Sequence, residues 1–203
     1  MKLWYSPASP FVRKCLILAH ERGLADRIET LDANANVVSP DQRIVASNPT
    51  GKIPTMVLDD GTVLFDSRVI CAYLDTLHDG KKLMPRSGAK RFEVMTLEAM
   101  GDGIMDAAVN NRYELALRPE EYRWPAWSEG QMGKVMASLD QIEAKWTRAL
   151  GRNPNMGSIA IAAALGYLDF RYKDLNWRRG RPKLTRWFRA FSQRPSFVAS
   201  SPE

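Results

Sequence analysis

The chain has 203 residues, enough for one large domain or two small ones with real cores. Its 45% apolar and 26% charged residues are ordinary for a globular protein, and no apolar run reaches the ~18 residues of a membrane span, so no membrane partner is expected. The net charge of +6 raises the question of an anionic partner. The opening Met1-Lys2-Leu3-Trp4-Tyr5-Ser6-Pro7 breaks at proline before a secretory apolar segment can form. Cys15 and Cys71 both lie in helical patterns and read as buried thiols rather than a disulfide, which makes a cytoplasmic location the expectation.

Leu3, Trp4 and Tyr5 read as a first strand, and Val12, Cys15, Leu16 and Ala19 recur at helical spacing after it. Between them Ser9 suits an N-cap and Pro10 the first helical turn, with Gly23 as the stop. A hydroxyl at the positive end of a helix, among free backbone N–H groups, favours an anion. Taken alone, Ser9-Pro10 is also an ordinary helix cap. Ile28–Leu31 alternates as a second strand, and a short helix is predicted over residues 41–46. Asn48-Pro49-Thr50-Gly51-Lys52-Ile53-Pro54 is a loop leading to strands over residues 55–58 and 62–65, joined by the hairpin signal Asp60-Gly61. Asp66-Ser67 opens a helix with Val69, Ile70, Tyr73, Leu74 and Leu77 on its apolar face. The first third thus reads βαβαββα.

A polar stretch over residues 78–88 makes a boundary, and strand signals cease beyond it. A long helix is predicted from Ala89 to about Leu115, with Gly101 and Gly103 marking close packing or a bend. A second runs from Trp127 to Leu150. The stretch from Asn155 to Tyr172 is apolar on all sides at first and is expected to be the buried central helix. Leu184–Ser192 is amphipathic and ends at Arg194-Pro195. The fold class is α+β: residues 1–80, then an all-helical domain over residues 86–203.

Several separated motifs now align in order: Ser9-Pro10-Phe11-Val12-Arg13-Lys14, residues 48–54, Phe65-Asp66-Ser67, residues 164–171, and Arg194-Pro195-Ser196-Phe197. In these the chain resembles the cytosolic glutathione transferases of bacterial, serine-type, Ser-Pro-Phe kind. The resemblance implies a thioredoxin-like glutathione-binding domain followed by a helical domain that contributes to a second-substrate pocket. It further implies glutathione as co-substrate, with no other cofactor and no metal.

Each implied site residue has a chemical reason. Ser67, at a helix start, would offer its hydroxyl and N–H groups to the γ-glutamyl carboxylate, with Asp66 pairing the α-amine. Ile53–Pro54 would be cis, turning the Ile53 backbone outward to pair with the cysteinyl backbone as an added strand does. Lys52 would attract the glycine carboxylate, although a solvated loop lysine needs no such reason. Ser9, beside Phe11, would donate to the sulfur. Lowering a thiol pKa of ~8.5 by ~2 units corresponds to roughly 2.7 kcal/mol. Ser6 is the competing hydroxyl, and Arg13 either adds positive potential or is a surface arginine. With Ser9 where thiol–disulfide exchangers carry cysteine, a mixed disulfide cannot form there.

The reading is therefore a transferase that activates the glutathione thiolate and conjugates it to a small hydrophobic electrophile. The electrophile would meet residues near Ser9 and Phe11 and on the helix from Ala89, such as Met105, Val109 or Tyr113. The alternative is a non-catalytic binding or regulatory protein on the same fold. A detoxifying role and a homodimer are implied by the resemblance. Residues 171–195 hold nine Lys/Arg and one acid, with Trp177, Trp187, Phe188 and Phe191 interspersed. These are read as a solvated helix with its aromatics inward, so no nucleic-acid partner is expected. Two departures from the family pattern stand out. Asp66 is shorter than the usual Glu or Gln, and Asn155 with Ser158 replaces Ser/Thr-x-x-Asp, so that Ser158 is expected to make the weaker return bond.

Overall fold

The computed structural model describes residues 1–202, which form two compact units. The first comprises Met1–Met84 together with the chain from Arg194 onward, and the second is Pro85–Gln193.

In the first unit a four-stranded mixed sheet is ordered β2-β1-β3-β4. Strands β1 (Lys2–Tyr5) and β2 (Glu29–Asp32) run parallel, with Tyr5 opposite Asp32. Strand β3 (Thr55–Val57) is antiparallel to β1, with Trp4 opposite Thr55, and β4 (Val63–Leu64) is antiparallel to β3, with Met56 opposite Leu64. Leu3 and Met56 are fully buried on the sheet. Helix α1 (Pro10–Glu21) buries Val12, Cys15, Leu18 and Ala19, the 3–4 residue spacing of an apolar stripe. Helix α2 is the short Gln42–Val45, capped by Asp41, and α3 is Ser67–Leu74. The Arg43 guanidinium grips Asp41 and holds its carboxyl down at a pKa of about 2. The inward row of α3 is Ser67, Ile70, Cys71 and Leu74. Val69, expected on the apolar face, is instead 46% exposed, because one helical step of 100° carries it off that row. Helices α1 and α3 meet through Cys15 and Cys71, both free and buried, with their sulfurs 3.8 Å apart.

The second unit is helical throughout: α4 (Ala89–Ala116), α5 (Pro125–Gln141), a π-helical turn (Ile142–Trp146), α6 (Thr147–Leu150), α7 (Met156–Arg171) and α8 (Pro182–Phe191). The single helix expected over 127–150 is thus interrupted. Its start is two residues earlier, where Trp124 precedes Pro125 at the first helical position. In the π turn Glu143 accepts the N–H groups of Lys183 and Leu184 at 3.2 and 2.8 Å, satisfying the open first turn of α8. Every residue of α7 from Met156 to Leu168 is buried, as its all-round apolar sequence requires. Its N-terminus carries both bonds of a capping box: Ser158 N–H to Asn155 Oδ1 at 2.9 Å and Asn155 N–H to Ser158 Oγ at 2.8 Å. The return bond to Ser158 is thus formed, with a neutral hydroxyl as acceptor in place of the family's carboxylate. Trp177, Phe188 and Phe191 turn inward, while Trp187 stays partly exposed and donates to the Gly151 carbonyl.

The sequence places a helix break at Arg194-Pro195 within an all-helical domain over residues 86–203. Pro195 is the first residue of a further helix, α9 (Pro195–Ala199), which packs on α1 of the first unit rather than with the helical one. Two anchors hold it. Arg194 reaches Glu21 through two bonds, and Arg13 donates to the Phe197 carbonyl at 3.1 Å while its guanidinium lies 3.9 Å from the Phe197 ring centre. Arg13 is buried, so it is not the surface arginine that was one of its two expected roles.

Candidate functional site

The strand register collects the candidate residues at one end of the sheet. Strand β1 ends at Tyr5 and delivers the chain through residues 6–9 into α1. Antiparallel to it, β3 begins at Thr55, opposite Trp4, so residues 52–54 arrive at that same end. Strand β4 leaves there too, past Leu64, and passes through Phe65 and Asp66 into α3. Ser9 and Phe11, Lys52 and Ile53, and Asp66 and Ser67 therefore belong to segments that meet the same end of the sheet although far apart in sequence. Two helix N-termini, those of α1 and α3, open toward this edge with their positive ends.

Ser9 is the N-cap of α1. Its Oγ accepts the Val12 N–H at 3.3 Å, and its own N–H donates to the Ser6 carbonyl at 3.0 Å. Accepting through a lone pair leaves the hydroxyl hydrogen available for another acceptor. Ser9, Ser6 and Phe11 are each partly exposed. Asp66 caps α3 by accepting the Arg68 N–H at 2.9 Å and remains solvent-exposed. Ser67 follows it at 2% exposure, its carbonyl 3.9 Å from Cys15 Sγ, so α1 fixes the first turn of α3. The Ile53–Pro54 bond is cis, and so is Phe65–Asp66.

Two residues of this end escaped functional assignment in the sequence: Asn48 and Thr55. Both are buried. Asn48 opens a turn in which the Gly51 N–H returns to its carbonyl at 2.9 Å, and Gly51 has φ of +63°, a value glycine adopts without strain. The Asn48 Oδ1 accepts from the Thr50 N–H and hydroxyl at 3.0 and 2.8 Å. Its Nδ2 donates to the Lys52 carbonyl at 3.2 Å and to Thr55 Oγ1 at 2.8 Å. Thr55 Oγ1 in turn donates to the same carbonyl at 2.7 Å. The signal was present as Asn-Pro-x-Gly, with Asn, Pro and Gly at the positions a β-turn favours. The Lys52 side chain is exposed.

In the helical unit Met105 is fully buried, whereas Val109 and Tyr113 are partly exposed. Burial raises the phenol pKa of Tyr113 and, further, that of Tyr167, so both are neutral donors at physiological pH. None of the helices is long and apolar enough to cross a membrane among the described residues.

Residues 8–77 match the family described as glutathione S-transferase, N-terminal domain, and residues 125–190 match glutathione S-transferase, C-terminal domain. A glutathione transferase family member from Pseudomonas fluorescens Pf-5, solved with bound glutathione, is 46% identical, covers 100% of this chain and 98% of its own, and superposes with a TM-score of 0.97. A glutathione S-transferase from Methylobacillus flagellatus KT, solved with glutathione bound, is 34% identical over 100% of this chain and 99% of its own, with a TM-score of 0.87. The uncharacterized GST-like protein YibF of Escherichia coli K12 is 35% identical over 100% of this chain and 98% of its own length.

Proposed function

This chain belongs to the glutathione S-transferase family, and we propose that it binds glutathione on its first unit, stabilises the thiolate and transfers it to a small hydrophobic electrophile. The observation that carries the reading is the convergence of Ser9, Lys52-Ile53 and Asp66-Ser67 at one end of the sheet, in a chain 46% identical to a family member solved with glutathione. The γ-glutamyl carboxylate would meet Ser67 and the free N–H groups of α3, with the α-amine against Asp66. The main chain of Ile53 would pair with the cysteinyl residue, and Lys52 would attract the glycine carboxylate. The sulfur would then lie at the mouth of α1 beside Phe11. There the Ser9 hydroxyl donates to the thiolate while the helix dipole lowers its energy. Attack forms the carbon–sulfur bond; with an aryl halide the displaced pair leaves on halide, and with an activated alkene or an epoxide it passes to the neighbouring carbon or the ring oxygen, which takes a proton from water.

A homodimer, a cytoplasmic location and a detoxifying role belong to the same proposal. Phe92 and Met95, one turn apart on α4 and 66% and 41% exposed, are apolar surface that a second copy would cover. The deciding experiment is a screen of aryl halides, activated alkenes and epoxides with glutathione, alongside calorimetric titration of glutathione alone. Binding without turnover on any of them would favour the non-catalytic alternative, and absence of binding would remove the reading altogether.

A further inference from the structure

We infer that Asn48, acting with Thr55, is a positioning residue that aims the Ile53 N–H at the cysteinyl carbonyl of glutathione; this rests on the reading of glutathione binding above. The argument is one of peptide geometry. The Lys52 carbonyl and the Ile53 N–H belong to a single planar trans peptide unit, in which C=O and N–H point in opposite directions. The carbonyl is held from inside by two donors, Thr55 Oγ1 at 2.7 Å and Asn48 Nδ2 at 3.2 Å. Fixing it inward fixes the Ile53 N–H outward, toward the end of the sheet where Ser9 and Asp66 also lie.

The two donors are themselves locked. Asn48 Nδ2 donates its second hydrogen to Thr55 Oγ1 at 2.8 Å, while Thr55 Oγ1 gives its own hydrogen to the Lys52 carbonyl. Asn48 Oδ1 is filled by the N–H and hydroxyl of Thr50. All four hydrogen-bonding positions of this amide are therefore used, at 1% exposure. No rotation of the Asn48 side chain keeps these bonds, so the peptide has one orientation and is set before any ligand arrives. Binding then need not order this segment, which is where preorganisation raises affinity.

A merely structural role and a positioning role separate by ligand. Glutathione presents a cysteinyl carbonyl; γ-glutamylcysteamine keeps the γ-glutamyl group and the thiol but lacks that carbonyl and the glycine. In the full chain, Asn48→Ala is expected to weaken glutathione about tenfold, the loss of roughly one hydrogen bond's selectivity, while γ-glutamylcysteamine is weakened less than twofold. KM for glutathione rises and kcat at saturation stays within about twofold, because the Ser9–sulfur contact is untouched. Should Asn48→Ala fail to fold, the pair Thr55→Val and Thr55→Ser decides the matter. Thr55→Val removes the 2.7 Å donor and should reproduce the selective loss, and Thr55→Ser keeps the hydroxyl and should restore glutathione affinity. Equal losses for both ligands, or Thr55→Val binding glutathione as the native chain does, overturn the inference alone. A native chain that binds γ-glutamylcysteamine and glutathione with equal affinity also overturns it, and one that binds neither removes the proposed function with it.

Discussion

Glu21 and Arg194 are 173 positions apart and form a two-pronged ion pair, Nε to Oε1 at 2.7 Å and Nη2 to Oε2 at 2.9 Å. Ser196 adds a third bond to the same carboxylate at 2.5 Å. Burial alone would raise the Glu21 pKa, but the hydrogen bonds from Arg194 and Ser196 outweigh it and the net shift is downward. A carboxyl whose folded pKa is lowered contributes stability above its unfolded value, and loses it as pH falls through the folded one.

Glu21→Gln is therefore expected to lower stability by about 1–2 kcal/mol near neutral pH, a figure kept small because Arg194 is one-third exposed. The difference from the native chain should shrink as pH falls below the ordinary carboxylate value of 4.5, where the unfolded chain takes up the proton first, and be lost as pH passes through the lower folded pKa of Glu21. Urea melts of both proteins between pH 3 and 7 check this. A difference that stays constant across that range contradicts it.

Two glycines of α4, two residues apart, should respond in opposite ways to alanine. A Cβ at Gly101 would sit 2.7 Å from the Ala160 carbonyl carbon and 2.8 Å from the Ala160 Cβ on α7, whereas one at Gly103 meets nothing within 4 Å. Gly101→Ala should cost about 2 kcal/mol net, overpacking exceeding the gain in helix propensity. Gly103→Ala should stabilise by about 0.5–1 kcal/mol. Thermal melts give both signs directly.

Removing the groups assigned to the γ-glutamyl end should weaken glutathione without unfolding the chain. Ser67→Ala and Asp66→Ala are each expected to lose about 1.5 kcal/mol of binding, the low end for charge-assisted bonds because Asp66 is exposed. Asp66→Ala also forfeits the cap of α3, about 1 kcal/mol of stability, so affinity must be measured on protein shown to be folded. Unchanged calorimetric affinity in both variants would take this dipeptide out of the site.

Ser9→Ala should leave glutathione bound but raise its thiol pKa. Below that pKa the thiolate fraction falls tenfold for each unit of increase, so the rising limb of the pH–rate profile with an aryl halide should move to higher pH. Ser9→Cys places a thiol at a helix N-terminus, where its own pKa is lowered, and should yield a mixed disulfide with glutathione disulfide, seen by mass spectrometry. A Ser9→Ala enzyme with native activity and an unshifted limb would make Ser9 only the cap that its 3.3 Å bond from Val12 shows, and would turn attention to Ser6.

The order of strands and helices in the first unit was legible because its signals are local. Ser9-Pro10, Asp60-Gly61 and Asp66-Ser67 each act on residues within a turn of themselves. Close packing or a bend was read at Gly101 and Gly103 alike, but only Gly101 lies against α7, and Gly157, whose Cβ would lie 2.5 Å from the Leu97 Cβ, gives no local sign. Val69 was misplaced because an apolar residue between Ser67 and Ile70 looks inward until the row of buried positions is known. The roles of Asn48 and Arg13 depend on partners that the sequence does not pair. Asn48 reaches forward past a turn to Thr55, and Arg13 reaches Phe197 across 184 positions. The helix after Arg194 was lost because Pro195 reads equally as a stop or as a first turn.

The docking of α9 on α1 sets an order in time. Synthesis runs from the N-terminal side, so α1 leaves the ribosome long before Phe197 exists, and the buried guanidinium of Arg13 has no Phe197 carbonyl to meet until α9 emerges. The first unit is first in sequence but last to be completed. A nascent chain stalled anywhere in the helical unit would carry Glu21 and Arg13 without their closing partners, and loss of α9 would injure the packing of a helix more than 170 positions before it.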